Sequence, residues 1–155
     1  MIQRIQSVYL FLVLVFTLLF LFFPLGSIDT GTDSFVIKTW GVSPDSEQII
    51  GDYNNLLGFI SLVMAFIVMI LTVYITLQFK NRVLQIKLGK INILIHMIMV
   101  VSAFFYLDTL KKGIEVFFSY GVAIIFPLLS MILILMANRA IKKDEELVRS
   151  ADRLR

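Results

Sequence analysis

Four long apolar runs, separated by polar segments, dominate the pattern of this 155-residue chain. They cover about residues 7–25, 56–78, 91–107 and 114–138, and the only charged residue within these bounds is Glu115, at the start of the fourth run. A helix of about 20 apolar residues spans the hydrocarbon core of a bilayer, which is about 30 Å thick. The pattern therefore predicts an all-α membrane protein, an antiparallel four-helix transmembrane bundle formed by one domain, residues 1–155.

The polar segments predict what lies outside the membrane. Residues 26–53 form a long first outer loop, in which Ser34 to Trp40 is rich in β-branched and aromatic residues, as short strands are. A second strand near residues 47–50 would complete a small β-hairpin packed on the mouth of the bundle. Trp40, the only tryptophan, is expected as the buried anchor of this hairpin, with a contact residue for a partner as the alternative.

Prolines mark two of the predicted helices. The first apolar run is longer than the 7–15 residues of a signal-peptide core, so we expect an uncleaved helix that Pro24 breaks as it leaves the membrane. Pro127 lies inside the fourth predicted helix, where it would kink or interrupt the helix and neighbouring helices would satisfy the freed carbonyl.

Lysine and arginine counts predict the orientation in the membrane. The N-terminus, the connector 79–90 and the tail 139–155 together carry eleven of these cations, and the two opposite loops carry three. Cytoplasmic loops of membrane proteins are enriched in Lys and Arg. Both termini are therefore expected to be cytoplasmic, and the acidic loop 26–53 to face outward.

Composition restricts the chemistry that this chain can perform. The chain has no cysteine, which excludes disulfides, thiolate metal sites and cysteine nucleophiles. It has one histidine, so a haem held between two of its own histidines is impossible. With neither a phosphate-binding glycine loop nor a nucleophile paired with a base, the sequence predicts no enzyme, no cofactor and no nucleic-acid partner.

His96 lies about five residues into the third predicted helix, toward the inner leaflet in the predicted orientation. One interpretation is a ligand role, as a quinone contact, a haem ligand shared with another chain or a step in a proton relay. The other is a neutral histidine that hydrogen-bonds between helices and fixes their packing. The helix neighbours of His96 include no cluster of ligands, which favours the packing role.

The tail 139–155 mixes both charges, with Glu145 and Arg149 in the favourable i, i+4 order. It predicts a solvated helix that extends the fourth span, or a docking helix for a cytoplasmic partner. Leu147 belongs to a narrow apolar stripe on this helix. The candidate partner-binding residues are Trp40, Leu147, Arg149, Asp152 and Arg153.

Three segments carry a resemblance to a known family. They are the opening residues 1–10, the connector segment 87–92 (KLGKIN) and the closing segment 144–155 (DEELVRSADRLR). The chain resembles an uncharacterised family of small four-span membrane proteins from one phylum of Gram-negative bacteria, a domain of unknown function. The resemblance implies an inner-membrane location and brings no activity, cofactor or catalytic residue. The layout of a long, partly β first outer loop and a short second one is also similar to claudin-type bundles.

From these features we expect a non-catalytic accessory or assembly subunit of a larger inner-membrane complex. Its partners would be membrane lipids and either other membrane proteins or further copies of itself. Two alternatives remain open at this point. One is a lipid- or quinone-binding component of an envelope or respiratory system, with His96 at the site, and the other is a homo-oligomeric channel.

Overall fold

A computed structural model describes residues 5–31, 34–43, 55–79, 81–112 and 117–153 of the chain. Four α-helices and four short strands account for most of them. The helices are α1 (Ile5–Phe22), α2 (Leu56–Leu77), α3 (Arg82–Lys112) and α4 (Ile125–Arg153). The strands are β1 (Gly26–Asp29), β2 (Ser34–Lys38), β3 (Gly41–Ser43) and β4 (Phe117–Tyr120), and a 3₁₀-helix (Val122–Ile124) leads into α4.

All four helices are long and apolar enough to cross a membrane, which indicates a multi-pass membrane protein. The helices differ in reach. The 31 residues of α3 and the 29 of α4 extend for about 45 Å, well beyond a hydrocarbon core of about 30 Å. α1 and α2, with 18 and 22 residues, are close to the length that one crossing requires. α3 and α4, each with a charged end, are therefore longer than one crossing requires.

The buried face of each helix repeats at alternating steps of three and four residues, the spacing of left-handed helix bundles. In α2 the buried residues are Gly58, Ser61, Ala65, Val68, Thr72 and Ile75. In α1 the same spacing buries Gln6, Leu10, Val13, Thr17 and Phe20. Glycine, alanine and serine on such faces let helix backbones approach closely in a membrane.

The four helices form a ring in which each packs on two neighbours. α1 packs on α2 and α4, and α3 packs on the same two helices. Consecutive bonds between α2 and α3 join Ser61 to Met99 and Thr72 to Asn92. As one residue number rises the other falls, so the two helices are antiparallel. Large apolar side chains cover the outside of the ring, among them Phe11, Phe59, Ile70, Leu94, Phe105 and Ile132.

A four-stranded antiparallel sheet in the order β3-β2-β1-β4 closes one end of the bundle. Its buried side chains, Ile28, Phe35, Ile37 and Val42, join the main hydrophobic core formed with the C-terminal ends of α1 and α3. Gly31, with a φ of 82°, shapes the turn between β1 and β2, and its N–H donates to Asp29 Oδ1 at 3.0 Å. This packing supplies the support that an isolated hairpin lacks in water.

The sheet differs from the hairpin predicted for the first outer loop. β2 occupies the expected segment, but it pairs with β1 and β3. The expected partner at 47–50 lies outside the described residues. β1 also pairs with β4, which lies between α3 and α4, in the register Gly26 opposite Tyr120 and Asp29 opposite Phe117. Chain segments separated by about 90 residues thus form one sheet.

Two predicted helix boundaries are wrong. The third helix begins at Arg82 rather than at residue 91, because the polar residues of the predicted connector are themselves good helix formers. The fourth run does not begin as helix, since Phe117–Tyr120 is a strand and α4 starts at Ile125. Pro127 therefore stands in the first turn of α4, where its missing N–H removes no helical hydrogen bond, and it makes no kink.

Candidate functional site

A layer of buried polar side chains lies between α2 and α3. Asn92 Nδ2 donates a hydrogen bond to Thr72 Oγ1 at 2.8 Å. The Thr72 hydroxyl in turn donates to the carbonyl of Val68, at 2.7 Å within its own helix. Both side chains are fully buried. A buried polar group without a partner is costly in a low-dielectric interior. The Asn92–Thr72 bond therefore fixes which turn of α2 faces which turn of α3.

Two further bonds secure the same interface. Ser61 Oγ donates to the carbonyl of Met99 at 3.3 Å. Gln85 Nε2 donates to the carbonyl of Ile75 at 2.8 Å, near the end of α2. The Ile75 carbonyl, in the last turn of α2, also accepts a hydrogen bond from the backbone N–H of Gln78 at 3.2 Å, so the Gln85 amide adds a partner where the helix ends. Side-chain bonds between α2 and α3 are thus spread along most of the length of α2.

His96 occupies the middle of α3, fourteen residues after its first residue and sixteen before its last. The prediction that it lies five residues into the helix is therefore wrong, because α3 begins earlier than the apolar run. Its side chain is fully buried, and Nδ1 lies 2.9 Å from the carbonyl of Asn92. A carbonyl only accepts hydrogen bonds, so this contact requires the proton on Nδ1 and leaves Nε2 as an acceptor.

Three polar atoms near the middle of the bundle make no hydrogen bond to any residue that the structure describes. They are His96 Nε2, Asn92 Oδ1 and Ser130 Oγ. Gly89 of α3 contacts the side chain of Asn138 of α4, so these two residues lie at the same height along the bundle axis. From there His96 is seven residues along α3 and Ser130 eight residues back along α4, about 10.5 and 12 Å. His96 and Ser130 therefore lie at nearly the same depth.

The chemistry of this layer is limited by its residue types. It offers amide, hydroxyl and imidazole groups, which exchange hydrogen bonds with each other, with water or with a polar ligand group. In the described part of the chain no group of three or more His, Cys, Asp or Glu residues could hold a metal ion. Hydrogen bonding and helix packing are the roles that the observed contacts support directly.

A second candidate region is the charged end of α4. Arg82, the first residue of α3, donates from Nη1 to the carbonyl of Asp144 at 2.7 Å. The same Nη1 lies 3.9 Å from Glu145 Oε2. The Arg82 side chain is only 16% exposed, so the contact is a partly buried clamp between the two protruding helix ends. Glu145, expected from its spacing to pair with Arg149, faces Arg82.

Beyond this clamp, α4 continues as helix to Arg153. Leu147 is 60% exposed and Val148 is 46% exposed. Lys142 and Glu146 form an exposed ion pair of 3.8 Å one turn apart. Arg149, Asp152 and Arg153 belong to the helix, but their side chains lie outside what the structure describes. Leu147 is therefore the one candidate of this group whose surroundings are defined, and it is exposed.

Trp40 is exposed and does not anchor a hairpin. Its side chain is 48% exposed, because it lies in the tight turn between β2 and β3. The Lys38 ammonium stands 5.2 Å from the centre of its ring, within the range of a cation–π contact. The Trp40 carbonyl accepts a hydrogen bond from Asn55 Nδ2 at 2.9 Å, which ties the turn to the start of α2.

The sequence pattern does not indicate the roles of two groups of residues at opposite ends of the molecule. Arg82 reads as one of four cations in a predicted loop, and its clamp on Asp144 depends on both protruding helices being present. The strand Phe117–Tyr120 reads as the start of an apolar helix. Its strand character becomes visible only after its pairing with β1 is known.

The comparisons with known proteins identify one family. The family described as "Domain of unknown function (DUF4293)" matches residues 2–154. Neither the curated proteins nor the solved structures contain a match to this chain.

Proposed function

The chain belongs to the DUF4293 family, and within this family of unknown function we propose that it acts as a non-catalytic accessory or assembly subunit of a larger complex in the bacterial inner membrane. In this proposal the buried polar layer holds the helices in register, and the exposed ends of the chain bind partners. Both termini are cytoplasmic in this arrangement, as the eleven cations on their side of the membrane favour.

One observation carries the proposal, namely the part of α4 beyond the Arg82 clamp. A membrane span with its anchoring cations needs only Arg139, Lys142 and Lys143 on this side. The helix nevertheless continues to Arg153 and exposes Leu147 and Val148. Exposed apolar side chains between charges on one helix are typical of a surface that packs on another helix. The occupant that fits best is an amphipathic helix of a cytoplasmic or membrane-attached protein.

Site-specific photo-crosslinking tests this docking role. A photoreactive amino acid replaces Leu147 in cells, and a matched variant carries it at Ile70, a lipid-facing residue that is 70% exposed. The proposal expects a discrete protein adduct at position 147 and none of the same mass at position 70. Equal adducts at both positions, or none at 147 with normal protein abundance, would count against it.

The orientation has its own test. Reporter fusions after Arg155 and within 79–90 are expected to report a cytoplasmic location, and a fusion near Ser43 a periplasmic one. The reason is the excess of cations on the first side, which opposes translocation of the short segments that carry them. A tail accessible to a membrane-impermeant reagent added from outside would contradict the orientation.

A lipid- or quinone-binding role is the second candidate, and His96 Nε2 favours it. This acceptor is fully buried and makes no hydrogen bond to the described residues, so it could receive one from the hydroxyl of an amphiphile. Extraction of the protein in mild detergent and analysis of its bound lipids by mass spectrometry tests this role. It predicts one amphiphile that is retained by the wild type and lost in His96→Phe. The same lipids in both samples would exclude it.

A further inference from the structure

The strand β4 forms one edge of the sheet and is paired on one side only. It pairs with β1, and no other described strand lies beside it. The N–H of Gly121 donates to the carbonyl of Leu25 at 2.8 Å, which marks Gly26 and Tyr120 as a pair without direct hydrogen bonds. By the alternation of antiparallel pairs, Ser119 directs its backbone groups toward β1. Phe118 and Tyr120 therefore direct theirs outward.

Natural proteins protect such edges with charges, prolines, bulges or a covering element. β4 has none of the first three, since its sequence is Phe-Phe-Ser-Tyr and it pairs with β1 in continuous register. Its side chains are also unusually open. Phe117 is 87% exposed, the highest value among the large apolar side chains that the structure describes, and Tyr120 is 57% exposed. An unprotected edge with exposed aromatic residues is a site for strand addition.

An apolar groove continues from the end of this strand. It has a volume of about 350 Å³ and is lined by Phe104, Tyr120, Gly121, Val122, Ile124 and Ile125. Since Phe104 and Ile125 belong to two membrane-spanning helices, the groove connects the sheet edge to the lipid-facing surface. Free backbone N–H and C=O groups are costly in so apolar an environment. The edge thus gains more from a strand that satisfies these groups than an edge in water does.

We propose that β4 is a homodimerisation edge, at which the β4 strand of a second copy adds in antiparallel orientation to form a continuous eight-stranded sheet. A second copy fits for two reasons. β4 carries no charge, so self-pairing brings no like charges together. A two-fold axis along the membrane normal also keeps both copies in the same membrane orientation and makes the contact self-complementary.

Of the registers that place outward groups opposite each other, one pairs all of them within the two strands. Phe118 and Tyr120 are the residues with outward backbone groups, so each Phe118 stands opposite Tyr120 of the second copy and exchanges two hydrogen bonds with it. Ser119 then stands opposite Ser119 of the second copy, in a pair without direct hydrogen bonds. Phe117 stands opposite Gly121 of the second copy, at the rim of its groove. Aromatic cross-strand pairs add to the stability of such a contact.

This register can be tested by disulfide cross-linking. The chain has no cysteine, so an introduced cysteine can pair only with its copy in a second chain. The Cα atoms of such a cross-strand pair are about 4.5 Å apart, within the range of about 4.4–6.8 Å that a disulfide requires. Ser119→Cys is therefore expected to form a covalent dimer when membranes are oxidised with copper phenanthroline. The matched control is Ser43→Cys, which is also exposed and lies on β3 at the opposite edge of the sheet.

The expected result is a dimer band for Ser119→Cys on a non-reducing gel and a monomer band for Ser43→Cys. Adding Phe117→Lys to the Ser119→Cys protein places a charge at the apolar rim of the groove, which the contact would have to desolvate, without disturbing a buried residue. It is expected to lower the yield of dimer about tenfold at equal protein abundance. A monomer for Ser119→Cys would overturn the proposal and leave lipid as the occupant of this edge. Equal cross-linking of the two cysteine variants, or no effect of Phe117→Lys, would indicate random collision and overturn it too.

Discussion

The two helix pairs with the most extensive contacts, α2–α3 and α1–α4, are held together by different means. Side-chain hydrogen bonds cross from α2 to α3 or back at Ser61, Thr72 and Gln85. The α1–α4 pair instead packs aromatic rings, with Phe16 stacked on Phe126 at 6.0 Å. The one buried threonine on α1, Thr17, donates to the carbonyl of Val13 within its own helix.

The kind of contact matters because lipid provides no hydrophobic driving force between helices. A pair of spans in a bilayer is held by van der Waals packing, by hydrogen bonds or by both. Hydrogen bonds specify one register, because a shift by one residue leaves buried donors and acceptors without partners. Aromatic packing changes less steeply with position. We therefore expect α2–α3 to define the register of the bundle and α1–α4 to adapt to it.

The largest effect is expected from Gly58→Leu, on the face of α2 that meets the β2–β3 turn. A Cβ at this glycine would lie 2.8 Å from the backbone carbonyl of Thr39 and 3.1 Å from the Tyr106 ring. Since backbone cannot move aside cheaply, the side chain would separate α2 from the turn. We expect a loss of about 3 kcal/mol in the free energy of unfolding, measured by titration with sodium dodecyl sulfate.

The matched control is Val63→Leu on the lipid-facing side of the same helix, where Val63 is 38% exposed. It should unfold at the same detergent concentration as the wild type. If Gly58→Leu unfolded together with this control, the close approach at Gly58 would not be needed for stability.

A smaller loss is expected for Asn92→Leu, which keeps the volume of the side chain and removes its bond to Thr72. Hydrogen bonds between membrane helices contribute about 0.6 kcal/mol on average and at most about 1.7. We therefore expect a loss of about 1 kcal/mol in the same titration. A variant as stable as the wild type would show that packing alone holds α2 on α3.

The smallest effect is expected for Thr17→Val, the counterpart in α1. The change keeps the shape of the side chain, and its lost hydroxyl bonds only to a carbonyl of its own helix. We expect a change within about 0.5 kcal/mol of the wild type. A loss equal to that of Asn92→Leu would remove the distinction between the two pairs.

The spans could be predicted from the sequence because a long apolar run is the direct signature of a helix in lipid, whereas their ends could not. Residues 82–90 alternate apolar residues with arginine, glutamine and lysine, so they form no continuous apolar run to detect. The contact of Arg82 with the carbonyl of Asp144 joins this part of α3 to α4, and the sequence alone does not show that contact. The prediction that Pro127 kinks or interrupts the fourth helix from its interior is wrong for the related reason that this helix starts later than its apolar run, which places Pro127 in the first turn.

The outer sheet shows the opposite limit. β2 could be predicted because its β-branched and aromatic residues are local signals. Its sheet also contains β4, a strand about 90 residues away whose Phe-Phe-Ser-Tyr sequence suits an apolar helix equally well. The prediction of a buried Trp40 is wrong for another reason. A large aromatic residue is usually buried. Trp40 instead lies in the two-residue turn between β2 and β3, where its side chain is not enclosed by other elements.

The central claim is that the buried polar layer has a structural role and that the exposed ends of the chain bind its partners. Quantitative recovery of copurifying proteins tests it most directly, with the wild type, His96→Gln and a truncation that removes residues 146–155 and keeps the Arg82 contacts. We predict that His96→Gln retains the partners of the wild type and that the truncation loses them, at equal abundance of all three proteins. Loss of those partners in His96→Gln, with full recovery in the truncation, would contradict the account.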